Sequence, residues 1–150
     1  MEPSISSINQ DLQAYNLLVL QYQDEAFNLA YALLGNETLA EKIVGFVFHK
    51  AFARTPKNYR SFRIEILAAI AFGCLKQAKG ISGPENIQAY LVGLTNIEKA
   101  AVILVDSIEM SLEDAAGVLK ISRLQLVKLL ARGRCRIAQA LPEAFKIQYL

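Results

Sequence analysis

The sequence predicts an all-α protein built as two small helical bundles. Three observations carry this. Apolar residues recur with a helical period, and no strand-like alternation persists. Ser or Thr followed three residues later by an acid or amide, the signature of a helix start, recurs along the chain. One concentrated breaker segment, Gly80-Ile81-Ser82-Gly83-Pro84, divides the 150 residues. These place a first domain at 1–79, a short linker at 80–89 and a second domain at 90–150.

The first helix is expected at about residues 12–34, stopped by Gly35-Asn36. Thr38-Leu39-Ala40-Glu41 reads as a capping box opening a second helix, which ends before Pro56. Ser61 is expected to cap a third, running to Lys79. In the second half, Thr95 with Glu98, Ser111 with Asp114, and Ser122 with Gln125 mark three starts. A helix of about two turns, 113–119, then precedes a long helix ending near Leu141-Pro142, which is the layout of a helix-turn-helix. At ~100° per residue, Leu126, Leu130, Gly133, Ile137 and Leu141 share an inward stripe of the long helix. Gln125, Lys128, Arg132 and Arg136 fall on its outward side, with Leu124, Val127 and Ala131 flanking them.

Hydrophobic residues make up 53% of the chain, enough for a packed core. Net charge is only +2, yet Lys120, Arg123, Lys128, Arg132, Arg134 and Arg136 cluster with no acid between them. Two cysteines far apart and a single histidine, His49, argue against a disulfide scaffold or zinc site; Cys74 and Cys135 are expected as free buried thiols. No metal or cofactor is expected. His49 reads as a partly buried side chain, the acids are scattered and no glycine-rich phosphate loop follows a strand, so no enzyme is expected. The amino terminus lacks a secretory pattern, and the apolar run 66–75 is about half of the ~20 residues that span a bilayer. A cytoplasmic protein without membrane contact is expected.

The run Met110-Ser111-Leu112-Glu113-Asp114-Ala115-Ala116, then Leu119, Ile121 and Ser122, resembles region four of the sigma-70 family, in its extracytoplasmic-function (ECF) type. Leu126, Lys128, Leu130, Arg132 and Arg134 keep the spacing, and Leu94 and Glu98 match the start of that domain. The first half resembles region two at Tyr22, Ala30, Leu33-Leu34-Gly35, Ala40-Glu41, Ile43-Val44, Phe48, Lys50-Ala51-Phe52 and Ser61-Phe62. The resemblance implies a transcription initiation factor binding the largest-subunit clamp helices of core RNA polymerase and promoter DNA. Its DNA contacts would be Ser122, Arg123, Gln125, Lys128, Arg132, Arg134 and Arg136. Its polymerase or partner contacts would be Glu41, Lys42, Gly45, Phe46, His49 and Lys50. An anti-sigma protein or a second copy of the chain is a further candidate partner.

The chain departs from that family where it matters most. Lys42, Gly45 and Phe46 replace an acid and a Gln-Glu pair of the polymerase grip, Phe72-Gly73 replaces an Arg-Asn pair, and Lys120 replaces the turn glycine. Leu124-Gln125 stands where Gly-Thr is usual. The alternative reading is therefore a degenerate sigma fold repurposed as an interaction module or oligomer. It carries an expectation: the Phe46 and Phe72 faces are covered, by the second domain folding back or by another chain.

Overall fold

A computed structural model describes residues 5–52, 59–77 and 93–140, with the side chains of 11–52, 61–76 and 93–140. The linker expected at 80–89, together with Leu141 and Pro142, lies outside the described residues. Those described form six helices and no strand, an all-α fold in two small bundles. The first bundle holds α1 (Ile5–Leu34), α2 (Glu37–Ala51) and α3 (Tyr59–Gln77). The second holds α4 (Asn96–Val102) with a π-helical continuation (Ile103–Ser107), α5 (Leu112–Leu119) and α6 (Arg123–Ala140).

Local chemistry explains most of the boundaries. Gly35, at φ 65°, ends α1 and returns its N–H to the Tyr31 carbonyl at 2.7 Å. The cap of α2 is Asn36, whose side chain accepts from the Leu39 N–H at 2.9 Å. This corrects the reading of Thr38 as the cap: Asn36 is already in place two residues earlier, and Thr38 falls inside the first turn. Ser61 likewise lies within α3. The three later starts form as the sequence predicts. Thr95 accepts from Glu98 N, Ser111 from Asp114 N, and Ser122 exchanges two bonds with Gln125, at 3.1 and 3.0 Å.

The turn between α5 and α6 is tight. The Ile121 N–H reaches the Ala116 carbonyl and the Lys120 N–H reaches that of Gly117, the paired bonds of a Schellman ending. Lys120 itself is left-handed, at φ 55° and ψ 43°. That conformation costs a side-chain-bearing residue ~1–2 kcal/mol.

The two bundles share one contiguous core. Leu29, Leu34, Ile66, Leu67 and Ile70 are fully enclosed on the first side, and Leu104, Val118 and Leu126 on the second. The second bundle packs against the first mainly through α5 on α3 and α4 on α1. Small residues permit the approach. Gly117 faces Ile64 across the α3–α5 contact, and a Cβ there would sit 3.9 Å from the Ile64 Cγ2. Within the second bundle Gly133 lets α6 cross α4, because a Cβ there would come within 2.7 Å of Val102 Cγ2.

Candidate functional site: a groove on the first bundle and a basic helix on the second

α2 and α3 lie side by side and leave an open groove of about 440 Å³ between them. Its lining is mostly apolar, with Ile43, Val47, Ile66 and Phe62 deep and Phe46 and Phe72 at the mouth. Lys50, Lys76 and Glu65 supply the charge. Phe46 is 65% exposed and Phe72 37% exposed. The expectation that both rings are covered is therefore corrected for Phe46. The second bundle docks on α1 and α3, so its bulk stays away from the α2 side of the groove. Each ring instead carries an ammonium: Lys50 Nζ lies 5.8 Å from the Phe46 centroid and Lys120 Nζ 5.2 Å from that of Phe72. The apolar run in α3 divides accordingly. Ile66, Leu67, Ile70, Ala71 and Cys74 turn inward, while Ala69 and Phe72 face out.

The remaining residues assigned to partner binding also lie on α2. Glu41, Lys42, Gly45, His49 and Lys50 are all exposed. This corrects the expectation of a partly buried His49: the inward side of this turn is taken by Val47 and Phe48, which leaves the imidazole on the surface. Behind the groove, the Tyr15 hydroxyl donates to the Phe48 carbonyl, and the Tyr15 ring meets Phe52 and Phe62 edge-on. Burial raises the Tyr15 pKa. Arg63 of α3 forks onto Glu25 of α1 at 2.7 and 2.8 Å. The Glu25 hydrogen bond is the main cause of the raised Arg63 pKa, and Asp114 of the second bundle adds a small further push.

On α6 the inward stripe is Leu126, Leu130, Gly133 and Ile137, all buried. The cationic face is smaller than the charge count suggests. Arg134 forks onto Asp106 at 2.6 and 3.0 Å, and that hydrogen bond holds its pKa up. Arg136 donates through one nitrogen to both oxygens of Glu98, at 2.8 and 3.0 Å, and to the Gly93 carbonyl at 3.2 Å. Glu98 is 3% exposed and is the buried charged residue of the described core. Ser122 and Gln125 are occupied with each other in the cap. Arg123, Lys128 and Arg132 are exposed, and among the described residues none of the three is ion-paired. Leu124, at 65% exposure, and Val127, at 43%, stand among them. Cys135 is also exposed on this helix, correcting the expectation of two buried thiols; Cys74 alone is buried. Among the described residues, no helix is long and apolar enough to cross a membrane.

Residues 56–148 match the protein family described as "Protein of unknown function DUF134". The chain belongs to this family. That corrects the assignment to the ECF sigma factors, to which the match does not lead. The sigma likeness is one of fold. The chain superposes on CnrH, an ECF sigma factor solved in complex with the cytosolic domain of CnrY. The TM-score is 0.72 at 18% identity, covering 85% of this chain and 87% of CnrH. It also superposes on a structure of the anti-anti-sigma factor PhyR complexed with the anti-sigma factor NepR from Bartonella quintana. There the TM-score is 0.62 at 16% identity, covering 83% of this chain and 49% of the other. No curated protein matches the sequence.

Proposed function

We propose that this member of the DUF134 family is a sigma-fold binding protein that captures an amphipathic helix of a partner protein in the α2–α3 groove. The observation that carries the reading is the exposure of Phe46, 65%, at the mouth of an apolar groove. Fully burying a Phe contributes ~1.5–3 kcal/mol, so a partner that covers this ring gains a large part of its binding energy from one side chain. Lys50 and Lys76 on the lining suit acidic residues flanking the apolar stripe of such a helix. Both fold relatives were solved with a partner protein bound, which supports a regulator of the anti-sigma kind as the occupant. In this reading the chain acts by contact and catalyses nothing.

A photoreactive phenylalanine analogue at position 46, with the same analogue at Leu124 as control, tests this. A discrete crosslink from 46 alone to a small regulatory protein is the expected result. A crosslink to the polymerase largest subunit would favour an initiation role instead, and equal or absent crosslinking from the two positions would overturn groove capture.

That second reading is a sigma-like initiation role, with polymerase at the groove and promoter DNA at α6. It rests on the geometry of Arg123, Lys128 and Arg132, three exposed cations on a helix that succeeds a tight turn as a recognition helix does. Core polymerase retained by the purified protein, together with salt-dependent duplex binding, is the outcome it requires.

A further inference from the structure

Lys120 occupies a position at which glycine would be free of strain, and its backbone does nothing there that glycine could not do. The N–H closes the Schellman turn whatever the side chain is. What the lysine adds is reach. Its ammonium crosses from the second bundle to lie 5.2 Å from the centroid of Phe72, in the first. Phe72 in turn lines the mouth of the α2–α3 groove. The turn is held close enough for this by the glycine step of α5, where Gly117 packs against Ile64. A single ring therefore belongs both to the groove and to the contact between bundles.

We propose that the Lys120–Phe72 contact is a latch that links occupation of the groove to the attachment of the second bundle. It rests on the groove being a binding site. A ligand that turns or pulls the Phe72 ring must break or remake the ammonium contact. By reciprocity, whatever loosens the α5–α6 turn changes what the groove presents. The latch is weak: a cation over a partly exposed ring contributes roughly two- to fivefold in an equilibrium constant. That is enough to bias an opening equilibrium and too little to lock it.

Hydrogen exchange on the full chain reads that equilibrium directly. With no ligand, Lys120→Gln and Phe72→Leu should each speed exchange of the α5 amides by about threefold. The double variant should be no faster than either single one. Unchanged rates, or single effects that multiply in the double variant, would overturn the latch. Lys120→Arg, which keeps a cation in reach of the ring, should exchange like the native chain. A second arm uses Nile red as an uncharged apolar probe of the groove. Its binding should change α5 exchange in the native chain and leave it unchanged in Lys120→Gln. Dye that binds, is displaced by Phe46→Glu, and leaves native α5 exchange untouched would refute the linkage. Dye binding indifferent to Phe46→Glu would refute the groove reading, while the ligand-free comparison would still decide the latch.

Discussion

Replacing Arg136 by Met should destabilise the protein far more than its position on an exposed helix face suggests. Its partner, Glu98, is 3% exposed, and the guanidinium supplies two contacts to the carboxylate and one to the Gly93 carbonyl. Methionine keeps the aliphatic stem and removes all three. Breaking a fully buried pair costs ~3–5 kcal/mol, because the remaining charge is stranded. The Arg136 side chain is 44% exposed, so water moderates the loss, and about 2–3 kcal/mol is expected. Urea unfolding monitored by helical circular dichroism should show a lower midpoint with an unchanged slope. Arg134→Met is the control. Its partner Asp106 is 30% exposed, and a pair of that kind is worth roughly 1 kcal/mol or less. If the two variants lost the same stability, or Arg136→Met lost less than about 0.5 kcal/mol, burial of Glu98 would not be what gives the pair its weight.

Gly133→Ala gains up to ~1 kcal/mol of helix propensity but drives a Cβ to 2.7 Å from Val102 Cγ2, so a net loss of about 1 kcal/mol is expected in thermal melts. In a Val102→Ala background the same change should become neutral or stabilising. A thiol reagent should modify Cys135 at once and Cys74 only on unfolding. Burial pushes the Cys74 thiol up to about 12 from 9.0, so between those values the unfolded chain ionises and the folded chain does not. Stability present below pH 9 is therefore lost as pH climbs towards 12, and Cys74→Ala should flatten that alkaline decline in denaturant titrations. If duplex DNA binds at α6, three free cations predict a slope of about −2.7 in log affinity against log salt, with six cations predicting about −5.4. Fluorescence anisotropy from about 50 to 200 mM salt separates the two values.

Much of the fold is legible in the sequence because its signals are local. Thr95, Ser111 and Ser122 cap their helices through a backbone N–H three residues on, and nothing distant can alter that arithmetic. Where two candidate caps lie close together, at Asn36 and Thr38, the sequence pattern favours the wrong one. The candidate site is less legible, because long-range pairing decides it. Glu98 reads as the acid of a capping box, yet its carboxylate serves Arg136, 38 residues away. Arg134 reads as a cation for phosphate and is held by Asp106, 28 residues away. The exposure of Phe46 depends on which side of the first bundle the second one meets, and no periodicity encodes that choice.

The π-helical continuation of α4 has a consequence for chain length. Ile108 N–H passes one carbonyl further back than an α-turn would and bonds Ile103 at 2.9 Å, and Met110 N–H bonds Leu104 at 2.9 Å. The segment thus holds one residue more than α winding would use. That surplus sets the phase of the chain beyond it, turning Asp106 to Arg134 and Met110, 3% exposed, into the core. Deleting any residue of 104–107 would let the turn relax to α geometry and rotate the later residues by ~100°. Met110 would swing to solvent and the α5 cap at Ser111 would start out of register. The residue count between α4 and α5 is therefore constrained as strictly as a buried side chain, although the residues that enforce it at the surface, Asp106 and Ser107, are themselves exposed.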